Sequence, residues 1–169
     1  MAIISQEDLS KIRKRHHRQK IVFCSGTFDL THAGHVLFLE DCKAQGDLLV
    51  VGIGHDDDIR NLKGPSRPIL NEQIRLYTIN QLKPSDYCFI TKPTPPYGAP
   101  LYPLCVIFQN LQPNINVVNE DAFDIPSRQI IAKRYSVQFL TLQRRCPPEF
   151  QNISTTGLIR KIKDLPEKY

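Results

Sequence analysis

No apolar stretch of this 169-residue chain is long enough to cross a membrane, and none near the N-terminus has the shape of a secretion-signal core. That excludes a membrane-embedded protein and points to the cytoplasm. Cysteine offers no scaffold either. Cys24, Cys42, Cys88, Cys105 and Cys146 stand far apart, without the paired spacing of a zinc or redox site. Cys24, Cys88 and Cys105 lie among apolar neighbours, where the residue behaves as a small hydrophobe. Internal repeats and low-complexity tracts are also missing. With 41% hydrophobic residues, the length suits one compact domain. The net charge is +5, with much of the excess in Lys11, Arg13, Lys14, Arg15, Arg18 and Lys20. This run contains no Phe, Tyr or Trp to stack on a base, so it reads as a solvated helical arm over 1–20, with Ser5 and Asp8 as a capping pair. Neither a nucleic acid nor a membrane is an expected partner. The remaining positive charge suits a small anionic ligand.

What is present concentrates in one segment, Ser25-Gly26-Thr27-Phe28-Asp29-Leu30-Thr31-His32-Ala33-Gly34-His35. An apolar run, Ile21-Val22-Phe23-Cys24, precedes it, and an amphipathic stretch beginning Val36-Leu37-Phe38-Leu39 follows. The pattern predicts a buried strand, a tight turn, and a helix whose first turn carries two histidines. A helix start presents unpaired N–H groups and partial positive charge, so it attracts phosphate. Imidazoles three positions apart share a face and can address one anion. Gly34, without a Cβ, lets the backbone come close to a ligand. The segment reads as a phosphate-handling site at the end of the first strand.

From residue 21 onward, apolar runs alternate with helical patterns. Strands are predicted at 21–25, 48–52, 87–90, 115–118 and 137–142, and helices at 35–45, 71–82, 101–111 and 126–134. Ile74, Leu76, Tyr77 and Ile79 are the expected apolar anchors of the 71–82 helix, with Pro84 as its stop. The alternation implies an α/β fold: a single doubly wound, Rossmann-like parallel sheet with helices on both faces, in a domain spanning 21–169. Ligands bind such sheets beyond the carboxyl ends of the strands, where the histidine segment lies. Five prolines at 92–103 make a semi-rigid loop, either a plain connector or a border of an acceptor pocket.

Gly26-Thr27-Phe28-Asp29 followed by His32-Ala33-Gly34-His35 resembles the signature of the cytidylyltransferase-like nucleotidyltransferases. Lys63-Gly64-Pro65-Ser66-Arg67-Pro68 with Glu72-Gln73-Ile74-Arg75 resembles that family's second block, and Ile153-Ser154-Thr155-Thr156 its closing block. The resemblance implies transfer of a nucleoside monophosphate from ATP or CTP to a phosphorylated sugar or polyol, with release of pyrophosphate. The attacking acceptor phosphate is already ionised, so the protein must align two anions and stabilise growing charge rather than supply a strong base. By resemblance, His32 and His35 stabilise the α-phosphorus and Lys63 reaches a phosphate from a flexible loop. Arg75 clamps phosphate oxygens, and Ser154, Thr155 and Thr156 donate to the β- and γ-phosphates. Gly26, Thr27 and Phe28 bed the nucleotide, with Asp29 orienting donors in the turn. Mg²⁺ would travel with the triphosphate and need few protein ligands. Family members often form dimers, so a homodimer is the corresponding expectation.

Two departures stand out. Where the family often has a glycine-aspartate pair, this chain reads Val118-Asn119-Glu120-Asp121-Ala122. The turn before the closing block is lengthened to Arg144-Arg145-Cys146-Pro147-Pro148-Glu149-Phe150-Gln151-Asn152, with Arg145 preferred over Arg144 as a phosphate ligand. His55-Asp56-Asp57-Asp58 reads as a solvated turn rather than a metal site. Residues 60–68 most resemble the heptose-1-phosphate adenylyltransferases, while Gly26–Leu30 with Ile153–Thr156 is equally similar to the glycerol-3-phosphate cytidylyltransferases. A catalytically weak nucleotide-binding or regulatory module is the alternative on the same fold.

Overall fold

The computed structural model describes residues 2–96 and 98–166. Its strands are β1 (Ala2–Ile3), β2 (Ile21–Gly26), β3 (Leu48–Ile53), β4 (Tyr87–Ile90), β5 (Ile115–Asn119) and β6 (Gln138–Leu142). They form one sheet in the order β1-β4-β3-β2-β5-β6, and every neighbouring pair is parallel. The helices are α1 (Leu9–Arg15), α2 (Ala33–Lys43), α3 (Asp56–Lys63), α4 (Glu72–Asn80), α5 (Tyr102–Leu111), α6 (Ile125–Arg134) and α7 (Thr155–Lys163). From β2 the chain builds outward through β3 to β4, then crosses to β5 and β6 on the other side. That reversal leaves a crevice between the carboxyl ends of β2 and β5, where open α/β sheets receive ligands.

The period of two in β2 sorts its side chains between two cores. Val22 and Cys24 face α2 and α4, meeting Leu39, Cys42, Leu76 and Ile79. Ile21 and Phe23 face α1 and α5, meeting Leu9, Ile12, Leu104 and Phe108. Phe23 anchors this second layer, stacked on Phe89 at 6.3 Å and edge-on to Phe108 at 6.1 Å. All six residues of β3 are buried, which accounts for its unbroken apolar run.

The N-terminal stretch departs from the expected arm. It is helical at α1, and Ser5 and Asp8 do pair, with Ser5 Oγ 2.8 Å from Asp8 Oδ2. Yet β1 pairs with β4 as the sheet's edge, and Leu9 and Ile12 are buried against α5. Arg13 reaches back to the carbonyls of His16 (2.6 Å) and Gln112 (3.4 Å). Residues 2–20 therefore pack with the fold, while of the basic run Lys11, Lys14, Arg15, Arg18 and Lys20 are exposed as expected and Arg13 is half-buried. The basic run masked the apolar i, i+3 pair of Leu9 and Ile12.

Two further elements differ from expectation. Residues 55–58 open helix α3 instead of forming a turn; His55 caps it, its Nδ1 accepting from Asp57 N at 3.2 Å. In α4 the inward stripe is Arg75, Leu76 and Ile79, whereas Ile74 and Tyr77 lie on the exposed face. Arginine occupies an inward position that the apolar pattern assigned elsewhere.

If α1 is core, Leu9→Ala should lower the unfolding free energy by about 2–5 kcal/mol, the range for a buried leucine. Urea denaturation at unchanged slope would measure it. An appended arm would give a change near zero.

Candidate active site

Beyond β2 the chain makes a tight turn in which Phe28 and Leu30 adopt left-handed backbone angles, φ 51° and 46°. Phe28 folds back under Gly26, where a Cβ would lie 3.0 Å from its ring. Asp29 is 1% exposed and accepts three hydrogen bonds: Ile69 N (2.9 Å), Leu70 N (3.0 Å) and Arg67 Nε (3.0 Å). The carboxylate thus orients donors, tying the turn after β2 to the loop between α3 and α4.

Arg75 does not take the phosphate-clamping place expected of it. It is fully buried, and Nε donates to Leu70 O (2.9 Å). Its terminal nitrogens donate to Thr27 O (2.5 Å), Gly54 O (2.7 Å) and Asp56 Oδ1 (2.6 Å). The guanidinium is an internal brace joining the ends of β2 and β3 to α3. A buried charge needs this degree of pairing.

His32 caps α2 and His35 sits one turn in, with rings stacked at 4.0 Å and 27°. His35 Nδ1 lies 3.3 Å from His32 N and accepts its proton. The ring proton of the neutral imidazole is therefore on Nε2, leaving that nitrogen as a donor. Burial lowers the His35 pKa to about 4, reinforced by His32, Arg144 and Lys63 and opposed by Asp29. Burial, then Arg144, also lowers that of His32. His32 Nδ1 is buried without a hydrogen-bond partner among the described residues. Gly34 serves this ring: a Cβ there would stand 3.1 Å from His32 Nδ1, so the missing side chain makes room for an imidazole rather than directly for a ligand.

Lys63 ends α3, not a flexible loop, and Gly64 turns the chain with φ 93°. Partial desolvation and then the Arg67 charge lower the Lys63 pKa. Arg67, to which the sequence pattern assigns no role, is only 14% exposed and pairs with Asp29. Arg144 is the cation whose field reaches both histidines; it pairs with Asp121, and its N donates to Glu120 Oε1 (3.3 Å). Arg145, the expected phosphate ligand, turns toward α2 and pairs with Glu40 (3.0 Å) and Asp41 (3.2 Å).

Ser154 caps α7 by accepting from Gly157 N (3.1 Å), while Thr155 Oγ1 donates to Asp29 O (2.9 Å). A cavity of about 110 Å³ joins both residues to His32, His35, Asn119, Arg144 and Arg145; Thr156 is exposed and outside this lining. A second cavity, about 430 Å³, lies at the ends of β2, β3 and β4. Gly26, Thr27, Leu62 and the 92–103 loop border it, and the two cavities share no lining residue. Among the described residues, no cluster of three His, Cys, Asp or Glu side chains could hold a metal ion, and no helix is long and apolar enough to cross a membrane.

Residues 23–161 match the family described as cytidylyltransferase-like. The chain is 40% identical over 162 residues to the bifunctional protein HldE of Aliarcobacter butzleri, covering 94% of this chain and 30% of that protein. Against the bifunctional protein HldE of Helicobacter acinonychis the identity is 33%, covering 95% of this chain and 31% of the relative. The chain thus spans under a third of these curated relatives' length. Among solved structures, a lipopolysaccharide core biosynthesis protein from Thermoplasma volcanium superposes with a TM-score of 0.62 at 26% identity, covering 76% of this chain and 99% of that one. A pantoate-beta-alanine ligase from Francisella tularensis shares the fold alone, with a TM-score of 0.67 at 17% identity, covering 96% of this chain and 77% of that one. A match over most of the chain, on a parallel sheet with its two histidines at the switch point, makes this protein a member of the cytidylyltransferase-like family.

Proposed function

We propose that this chain is a nucleotidyltransferase that transfers the nucleoside monophosphate of ATP to a phosphorylated sugar and releases pyrophosphate. One observation carries the reading. The stacked His32–His35 pair stands neutral at a helix start, with the charges of Lys63 and Arg144 acting on it. Such a site has donors and positive potential in excess and lacks only an anion. The likeness of residues 60–68 to heptose-1-phosphate adenylyltransferases favours ATP and a sugar 1-phosphate over CTP and glycerol 3-phosphate. The Thermoplasma neighbour, a lipopolysaccharide core biosynthesis protein, also favours a sugar acceptor.

In this reading the triphosphate enters the histidine cavity, with Ser154 and Thr155 at its β- and γ-phosphates. An ionised oxygen of the acceptor phosphate attacks the α-phosphorus. A new P–O bond forms there, the bond to the bridging oxygen breaks, and pyrophosphate departs with that electron pair. His35 Nε2–H and His32 donate to the α-phosphate oxygens as charge grows, and Lys63 holds the two phosphates together. Mg²⁺ fits a site of this kind, because it takes phosphate oxygens and water and needs few side chains. Asp41, a carboxylate among the lining residues of the histidine cavity, would be the side chain in reach of it, and the ion would offset triphosphate charge.

Pyrophosphate release measured over ATP and CTP against a sugar 1-phosphate and glycerol 3-phosphate tests the reading. Release is expected with ATP and the sugar phosphate. A triphosphate that raises the melting temperature yet never yields pyrophosphate would instead indicate a binding module. His35→Ala should lower kcat by about 10²–10³, a typical loss for a transition-state donor, with the fold retained by circular dichroism. Near-normal turnover would remove His35 from the chemistry.

The depressed histidine pKa makes a third test. The free site resists imidazolium, and a bound polyanion favours it, so the His35 pKa rises from about 4 on binding. Binding then takes up protons between the free and bound values, and affinity tightens as pH falls through that window. Calorimetry at pH 6 in buffers of different ionisation enthalpy should register more proton uptake for wild type than for His35→Asn. Equal uptake would mean that His35 does not meet the phosphates.

A further inference from the structure

The 430 Å³ cavity is of a size that suits a small-molecule ligand, and its chemistry is lopsided. Ile59, Leu62, Leu104 and Ile107 with the loop prolines make one apolar side of its wall. Among the described residues, two ionisable side chains reach it, Asp58 and Arg128. Asp58 is occupied: its two oxygens accept Thr94 N at 3.0 and 3.2 Å, fastening the proline loop to α3. Arg128 is not. Its Nε donates to Phe123 O (2.7 Å), but neither terminal nitrogen has a hydrogen-bond or ion-pair partner among the described residues. The nearest acid, Asp124, is turned to cap α6, accepting from Ser127 N at 3.2 Å.

Local structure does not account for this arginine. It is half-buried, and burial outweighs Asp124 in lowering its pKa. It also stands in the first turn of α6, the positive end of the helix, where a cation works against the macrodipole. A desolvated guanidinium with four free N–H groups is costly unless something anionic meets it. Its planar fork matches a carboxylate or a phosphate in a bidentate geometry that a point charge lacks. The cavity shares no wall residue with the histidine cavity, so the nucleotide phosphates already have a separate seat.

We propose that this cavity receives the body of the phosphorylated acceptor and that Arg128 binds a second anionic group on it, a carboxylate or a further phosphate, at the end away from the reacting phosphate. The assignment of the ligand as acceptor rests on the nucleotidyl-transfer reading; the anion site itself does not. The acceptor class thereby narrows from sugar phosphates at large to those carrying two separated negative groups. Apolar walls would pack against the sugar's C–H faces, leaving Thr91, Asn61 and Thr27 for its hydroxyls.

Calorimetric titration without nucleotide tests the site independently of turnover, with α-D-glucose 1-phosphate, α-D-glucose 1,6-bisphosphate and α-D-glucuronate 1-phosphate as probes. Wild type should bind one of the two doubly anionic probes roughly tenfold tighter than glucose 1-phosphate, the scale of one charge-assisted pair. Which of the two is favoured tells phosphate from carboxylate. Arg128→Met should erase that preference, and Arg128→Lys, which keeps charge but not the fork, should retain a reduced part of it. Equal affinity for all three probes in wild type, or binding of none, would overturn the proposal. So would an Arg128→Met variant that weakens all three alike, or one that abolishes the melting-temperature rise given by ATP, since the guanidinium would then belong to the nucleotide. If the preference holds but no nucleotide–acceptor pair releases pyrophosphate, the reaction fails and the anion site stands. If pyrophosphate is released but the preference is missing, the reaction stands and the anion site fails.

Discussion

The backbone of one residue, Leu70, is held between two buried charges, and the active end of the sheet depends on it. Its N–H is taken by Asp29 and its carbonyl by Arg75. Asp29 belongs to the turn after β2, and Arg75 belongs to α4. The same arginine reaches Thr27 and Gly54, the residues just past the ends of β2 and β3. Strands from two parts of the chain and a loop from a third are thereby locked at one point. Neither ion could be buried alone, since each would face a desolvation cost of several kcal/mol. Burying them close together, each with backbone partners and one counter-ion of its own (Arg67 for Asp29, Asp56 for Arg75), converts that cost into a fixed geometry.

Two residues beside the candidate site, Arg67 and Thr155, are fastened to this brace. Arg67 is held by Asp29, and Lys63 lies just before it at the end of α3. Thr155 reaches the carbonyl of the same Asp29, so α7, which has no fully buried residue of its own, is fastened at its first turn. The histidines stack with no room for a side chain at residue 34. What remains soft is charge rather than shape. Cations crowd two imidazoles that burial keeps neutral, and a polyanion relieves both conditions at once. Electrostatic preorganisation of this kind is where enzymes gain most over water.

Much of this was legible in the sequence, and the parts that were not share a cause. The strand–turn–helix around Gly26 to His35 could be read because its elements obey their periods and its glycines fall at a turn and a helix start. The parallel sheet followed from apolar runs alternating with helices. Charged residues with internal roles were the ones misread. Lys11 to Lys20 hid a helix whose buried face is only Leu9 and Ile12, and the acidic run at 56–58 hid the start of α3. Arg75 looked like a phosphate clamp because arginine in such a block normally faces a ligand, and nothing in spacing tells a buried guanidinium from an exposed one. Arg144 and Arg145 are neighbours that both line the histidine cavity, and spacing does not tell that one pairs with Asp121 and the other with Glu40 and Asp41.

The two cavities bear on the direction of attack. In-line displacement at phosphorus needs the nucleophile and the leaving group on opposite sides of the α-phosphate. In the proposed reading the β- and γ-phosphates, seated by Ser154 and Thr155, would occupy the histidine cavity that these residues line. An acceptor in the larger cavity would approach from the other side of the turn after β2, across Gly26 and Thr27. That backbone is what Arg75 braces, through Thr27 O. A shift of about 1 Å in such an element is enough to spoil alignment. The buried arginine would thus act on the reaction without touching a phosphate, by keeping the partition between two anions thin and still. Lys63, at the end of α3 beside this partition, is the cation suited to bridge them.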